Sequence, residues 1–164
     1  MSKLKINRIL TANVVDPYEK IKFKSVKSSI KNLDGSVAMS SDDLIVPMHW
    51  SDVAVDVLAR NYLRKKGVPL HVKKVQEAGI PQWLLRSIAD DSKEMTETEA
   101  NGKETDARQV FDRIVGAWTY WGVKGDYFDT EQDARNFYDE MRYMLAMQMA
   151  APNSPQWFNT GLYW

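Results

Sequence analysis

Val110, Phe111, Ile114, Val115 and Trp118 recur at the three- and four-residue spacing that puts side chains on one face of an α-helix, and no other stretch constrains the fold as tightly. The stripe predicts a deeply packed helix, with Arg108, Asp112 and Arg113 falling outside it. A second helix is predicted from Thr130. Glu131 and Asp133 sit in its first turn, where acidic groups complement the helix dipole, and Asp133 closes a short capping box with Thr130. Ala134, Phe137, Tyr138, Met141, Met144, Leu145 and Gln148 form its broad inner face, with Met141, Met144, Met147 and Met149 offering adaptable packing. Trp118, Tyr120 and Trp121, just before Gly122, are assigned to the core rather than to a pocket for a planar cofactor.

Upstream, Ser51 is a good N-cap for a helix over Asp52 to Lys66. Asp52 and Asp56 lie at its positive end, Arg64, Lys65 and Lys66 at its negative end, and Gly67 and Pro69 stop it. Its expected buried stripe is Ala54, Val57, Leu58 and Tyr62, with Val53 beside it. Pro81 opens a short helix anchored by Trp83 and Leu84. Near the N-terminus, Ile21 to Lys27 alternates apolar and polar residues, as a half-buried strand does. Asn32-Leu33-Asp34-Gly35 supplies a turn, so a hairpin is expected with its second strand near Ser36 to Met39 or Leu44 to Val46. Residues 1–31 carry eight Lys or Arg, read as solvated, edge-protecting charges and not as a nucleic-acid site. Asp90 to Asp106 holds seven acidic residues, two lysines and few apolar side chains, the composition of a mobile, solvated loop.

These signals describe a mainly α chain with a small N-terminal β hairpin. It divides into an arm and hairpin at 1–46, a helical segment at 47–89, an acidic loop at 90–106, a second helical segment at 107–151 and a terminal segment at 152–164. At 164 residues and 44% apolar composition the chain is long enough for one core, and zero formal charge gives no bias towards nucleic acid or an anionic membrane. No run approaches the roughly 20 apolar residues that span a bilayer, and no secretory leader is evident, so a soluble, cytoplasmic protein is expected. His49 and His71 form no metal-ligand spacing, and no Ser/His/Asp order or Gly-rich phosphate loop suggests another catalytic centre. No metal site and no catalytic residue are assigned.

The terminal segment Ala151-Pro152-Asn153-Ser154-Pro155-Gln156-Trp157-Phe158-Asn159-Thr160-Gly161-Leu162 is open to two readings. Two prolines flank Asn153 and Ser154 and push Ala151 and Ser154 towards extended backbone, which suits presentation of polar groups to an anion or a sugar. The same tripeptide also makes an ordinary helix-to-strand connector.

Arg108 to Gly122, Tyr127-Phe128-Asp129, Tyr138 to Ala146 and Ala150 to Leu162, preceded by Pro47 to Ala59 and Tyr62 to Pro69, together resemble the amino-terminal region of class II, adenosylcobalamin-dependent ribonucleotide reductases. The likeness runs from about Pro17 onward and is most specific in the final block. It implies that residues 152–164 lead into the first strand of a ten-stranded α/β barrel otherwise absent from this chain. It also implies that the small polar residues there meet the substrate nucleotide, with Ser154 first, Asn153 second, and Asn159 and Thr160 as lesser candidates. The implied activity is that of a ribonucleoside-diphosphate reductase, with the choice between diphosphate and triphosphate substrates left open by the sequence. The family's chemistry uses a cysteine thiyl radical and a cysteine pair, and this chain has no Cys, so alone it is expected to be inactive. Its expected partners are the rest of the reductase and the ribonucleotide, with adenosylcobalamin bound in the complete enzyme rather than by this segment alone. No regulatory ATP-cone element is present in the sequence. The alternative is a non-enzymatic helical assembly module derived from the same region.

Overall fold

Asp106 caps the central helix α3 (Ala107–Lys124) by accepting from Arg108 N, while Gln109 closes the reciprocal half of a capping box. In the computed structural model, which describes residues 2–31, 37–92 and 94–162, α3 packs along α4 (Glu131–Ala146) as a helical hairpin. The Thr130–Asp133 box starts α4 as expected. Val110, Phe111, Ile114 and Val115 are fully buried, but so are the small residues Gly116, Ala117, Thr119 and Gly122, so α3 is enclosed on nearly every side. Arg113, outside the apolar stripe, is buried as well: it is 7% exposed. Trp121 is corrected outward, being 53% exposed where a core position was expected. Gln148 also leaves the expected face, because α4 ends at Ala146 and Gln148 turns out with φ of 56°. At the far end of α3, a Cβ on Gly122 would lie 2.5 Å from the Phe128 ring, and this close approach folds the loop back on the helix.

The N-terminal arm lies along α4. Asp133 accepts from Ile6 N, Asn136 donates to Ile6 O, and Glu140 accepts from Leu10 N, Thr11 N and Thr11 Oγ1. Their spacing of three, four and seven residues puts these groups on one helix face, where they satisfy an arm that has little ladder of its own. A capped 3-10 turn (Pro17–Lys20) then leads to the expected hairpin, β1 (Phe23–Lys31) with β2 (Val37–Pro47), antiparallel from Phe23↔Pro47 to Lys31↔Val37. The predicted turn at Asn32 to Gly35 lies outside the described residues. β2 takes in Val37 to Met39 of the first predicted second-strand position and all of Leu44 to Val46, Ser36 lying outside the described residues, and it docks on the approach to α3 through Ile45 N to Thr105 O at 2.9 Å.

Ser51 caps α1 (Asp52–Val57), but the helix is shorter than predicted and passes into a π-helical turn (Leu58–Tyr62). Arg64, Lys65 and Lys66 thus lie beyond it. The buried face is also rotated: Val55, Leu58 and Ala59 are inside, whereas Val53 is 74% and Val57 39% exposed. The rest of 47–89 is less helical than expected. β3 (Val68–Pro69) and β4 (Val72–Lys74) precede a 3-10 turn (Gln82–Leu84) that follows Pro81, and β5 (Ser87–Ala89) pairs with β4. Leu84 is fully buried there, and Trp83 packs on Tyr138 and donates to Glu131.

The acidic stretch is more ordered in secondary structure than composition predicts. Thr96 and Glu99 form a capping box for a single turn, α2 (Glu97–Ala100), and β6 (Asn101–Gly102) pairs with β3. Glu104 is 6% exposed. Finally, the strand expected after Pro152 is not what residues 154–159 form: they make a short helix, α5 (Ser154–Asn159). Pro155 fits the first helical turn because its missing N–H would be unpaired there anyway, and Gly161 just past the end takes φ of 78°. Ser154 is accordingly helical rather than extended. Trp157 inserts α5 into the main core, edge-on to Phe111, which also meets Trp50.

Candidate functional site

α5 separates the four candidate side chains into two groups. Five residues at about 1.5 Å rise each place Ser154 and Asn159 roughly 7.5 Å apart along the axis. At the N-terminal end, Asn153 and Ser154 are both exposed, and the Asn153 amide makes no cap to the helix. Ser154 Oγ shares a 2.9 Å hydrogen bond with Tyr62 Oη. Tyr62 in turn stacks on Trp157 at 5.5 Å and on Phe158 at 6.5 Å, contacts worth about 0.5–1.5 kcal/mol each beyond burial. Trp157 Nε1 donates to Pro152 O, so the connector before Ser154 is tied to the helix after it.

At the other end, Asn159 and Thr160 divide. Thr160 is 6% exposed, and its hydroxyl donates to Gln156 Oε1 at 2.6 Å, an acceptor also used by Trp118 Nε1. Its side chain is spent within the fold. Asn159 instead faces a surface cleft of about 390 Å³, with Arg86, Ala117, Tyr120, Trp121 and Leu162 around it. Beside the cleft, Glu77 accepts from Lys124 and from Tyr120 Oη. These bonds, Lys124 first, hold the Glu77 carboxyl below its usual range, and the same contact with Glu77 raises Tyr120 and Lys124.

Beneath α5 lies a residue that pattern reading missed. Arg113 Nε donates to Glu104 Oε1 at 2.8 Å, Nη1 to Thr160 O at 2.9 Å and Nη2 to Tyr62 O at 3.0 Å. Glu104 completes the junction by accepting from Arg64 N at 2.8 Å. A Cβ on Gly161 would lie 2.0 Å from Arg113 O, so only glycine lets the chain cross α3 here. The sequence signal for this junction was the set of small residues Gly116, Ala117, Thr119 and Gly122, which shows that α3 is approached closely on more than its aliphatic side.

Among the described residues, no group of three or more His, Cys, Asp or Glu could hold a metal ion. His49 and His71 are both exposed, and no described helix is long and apolar enough to cross a membrane.

The family model for class II vitamin B12-dependent ribonucleotide reductase matches residues 24–148, more than half of the chain. The chain belongs to this family. Vitamin B12-dependent ribonucleotide reductases of Agrobacterium fabrum and Bradyrhizobium diazoefficiens are 55% and 52% identical to it, each over 163 residues. A third relative so named, from Streptomyces clavuligerus, is 29% identical over 159 residues. The matches cover 96–98% of this chain but 13% of each of these relatives, so the chain spans about an eighth of their length. In this chain the junction of α5, Tyr62 and Arg113 leaves Asn153, Ser154 and Asn159 as exposed polar groups.

Proposed function

We propose that this chain is the N-terminal segment or a split subunit of a vitamin B12-dependent ribonucleotide reductase, supplying scaffold and one edge of the substrate nucleotide site. The observation that carries the reading is the match along nearly the whole chain to reductases that extend far beyond it. Ser154 is the first nucleotide contact, through its hydroxyl or backbone N–H to ribose or phosphate, and Asn153 is the second. Their exposure, together with the Tyr62 bond that aims the Ser154 hydroxyl, favours them over Thr160. Asn159 remains as a separate, lesser contact through its cleft.

The segment then leads into a catalytic barrel that carries the reactive cysteines. Adenosylcobalamin supplies the radical chemistry of the complete enzyme. It would be held by the complete enzyme rather than by this segment alone.

Co-production of this chain with the remaining portion of a related reductase, followed by an assay of cobalamin-dependent ribonucleotide reduction, tests the role. Activity is expected only in the mixture; absence of association ends the proposal. In the active assembly, Ser154→Ala is expected to weaken nucleotide binding by about 1 kcal/mol or more, the cost of one polar contact. Unchanged binding constants for CDP and CTP would remove Ser154 from the site.

A further inference from the structure

Arg113 sits where three chain segments meet. It is buried, its charge is matched by Glu104, and its two terminal nitrogens are used on main-chain carbonyls, one from Tyr62 and one from Thr160. Those two residues bracket the candidate nucleotide contact. Tyr62 ends the π-helical turn and reaches Ser154 Oγ with its hydroxyl, while Thr160 closes α5, the helix that Ser154 opens. A planar guanidinium with donors in a fixed fork can hold two carbonyls and a carboxylate at set angles, which a single ammonium cannot. The Gly161 crossing over Arg113 O fixes the same point from the outside, since the backbone there has no room to shift.

We infer that Arg113 is a positioning residue for the nucleotide site: it holds the Tyr62 turn and the end of α5 in one frame, and through Tyr62 Oη it sets the place of Ser154. The inference rests on Ser154 being a nucleotide contact, as proposed above. Arg113 itself touches no substrate.

The test uses a full-length reductase that carries this segment, with Ser154→Ala, Arg113→Lys and the double variant compared by equilibrium binding of CDP and by kcat. Lys keeps the charge against Glu104 but loses the fork. Arg113→Lys is expected to weaken CDP binding about tenfold with kcat changed less than about twofold, as for a misplaced polar contact. The double variant is expected to bind no worse than the weaker single variant, because residues acting through one contact are not additive. If the two losses multiply, or if Arg113→Lys binds normally while Ser154→Ala does not, Arg113 acts elsewhere and the inference is overturned. If Ser154→Ala alone binds CDP normally, the reading of the site fails instead. Should Arg113→Lys not fold, the paired variant Arg113→Gln with Glu104→Gln, which removes both buried charges together and leaves a neutral hydrogen-bonding pair, carries the same test: non-additivity with Ser154→Ala supports the frame, and independent losses overturn it.

Discussion

Two arginines are buried on neighbouring helices, and they are used in opposite ways. Arg113 on α3 has one carboxylate partner and two backbone carbonyls, drawn from segments 9, 47 and 51 residues away. Arg142 on α4 has two carboxylates, Asp139 at 2.7 Å and Asp112 at 3.2 Å, and lies over the rings of Tyr138 at 4.1 Å and Tyr18 at 5.1 Å. Its Nε has no hydrogen-bond partner among the described residues. The first arginine fixes where the chain runs; the second neutralises an acidic seam between helices and covers it with aromatic faces. Their partners also differ in what they keep when the arginine goes. Asp112 retains the hydroxyl of Tyr18, and Asp139 retains Arg8 Nη2, an ion pair at 3.0 Å without hydrogen-bond alignment. Among the described residues Glu104 keeps only the backbone donor of Arg64, and the carbonyls of Tyr62 and Thr160 lose the side-chain donor that reaches them.

That contrast predicts unequal costs. Arg113→Met should destabilise the chain by about 3–5 kcal/mol in urea unfolding, because it strands a buried carboxylate. Arg142→Met should cost less, about 1–3 kcal/mol, since both of its carboxylates keep a partner. Equal losses, or the reverse order, would break the distinction between the two arginines.

Alkaline pH separates them further. Burial first, then the charge of Asp112, pushes the Tyr18 hydroxyl well above its ordinary value of 10, and burial does the same to Tyr138. The unfolded chain therefore gives up these protons first, and stability present below pH 10 is lost as pH rises above it. Tyr138→Phe should flatten this alkaline slope in urea midpoints measured between about pH 9 and 11. The Arg113 side chain meets Tyr62 at its main-chain carbonyl instead. An unchanged slope in Tyr138→Phe would mean that the seam around Arg142 does not govern alkaline stability.

The legibility of the two regions differs for the same physical reason. The Arg142 seam is built on elements whose signals are local: the Thr130–Asp133 capping box, the α4 face containing Tyr138 and Met141, and a period that a single helix displays by itself. The junction at Arg113 is built from distant segments, each of which reads differently alone. Glu104 belongs to a stretch whose acidic composition suggested a solvated loop, although Thr96 and Glu99 already spelled a capping box within it. Ser154-Pro155 was read as a connector into a strand, although an Asn before it and Gly161 after it bracket one short helix. Val57 is expected in the buried stripe, with Val53 beside it, because one regular 3.6-residue period is drawn through to Leu58 and Tyr62, which lie in a π-helical turn where the phase changes. Of the candidate contacts, the exposure of Asn153 and Ser154 followed from local turn chemistry, but the burial of Thr160 followed from Gln156 and Arg113, which no short motif announces.

The N-terminal arm sharpens the comparison, because it supplies Arg8 to the Arg142 seam and touches nothing of the Arg113 junction in the bonds that dock it. Glu140 accepts from Leu10 N and Thr11 N and from the Thr11 hydroxyl. Burial works to raise the Glu140 carboxyl, but these arm hydrogen bonds outweigh it and hold the group below its ordinary 4.5. The folded chain thus binds this proton less readily than the unfolded one. Docking of the arm contributes stability that is present above pH 4.5 and is lost as pH falls through the lower folded value. Glu140→Gln should cost about 1 kcal/mol near neutral pH, since the amide keeps one acceptor, and should remove this part of the acid slope. Combined with Arg142→Met, it should cost more than the sum of the two, because a loosened arm withdraws the Arg8 that would otherwise keep Asp139 paired. Combined with Arg113→Met, it should be additive. The discriminating measurement is the pair of double-mutant cycles in urea: coupling to Arg113 as large as coupling to Arg142 would show that the arm and the α5 junction form one cooperative network rather than two independently braced faces of α3 and α4.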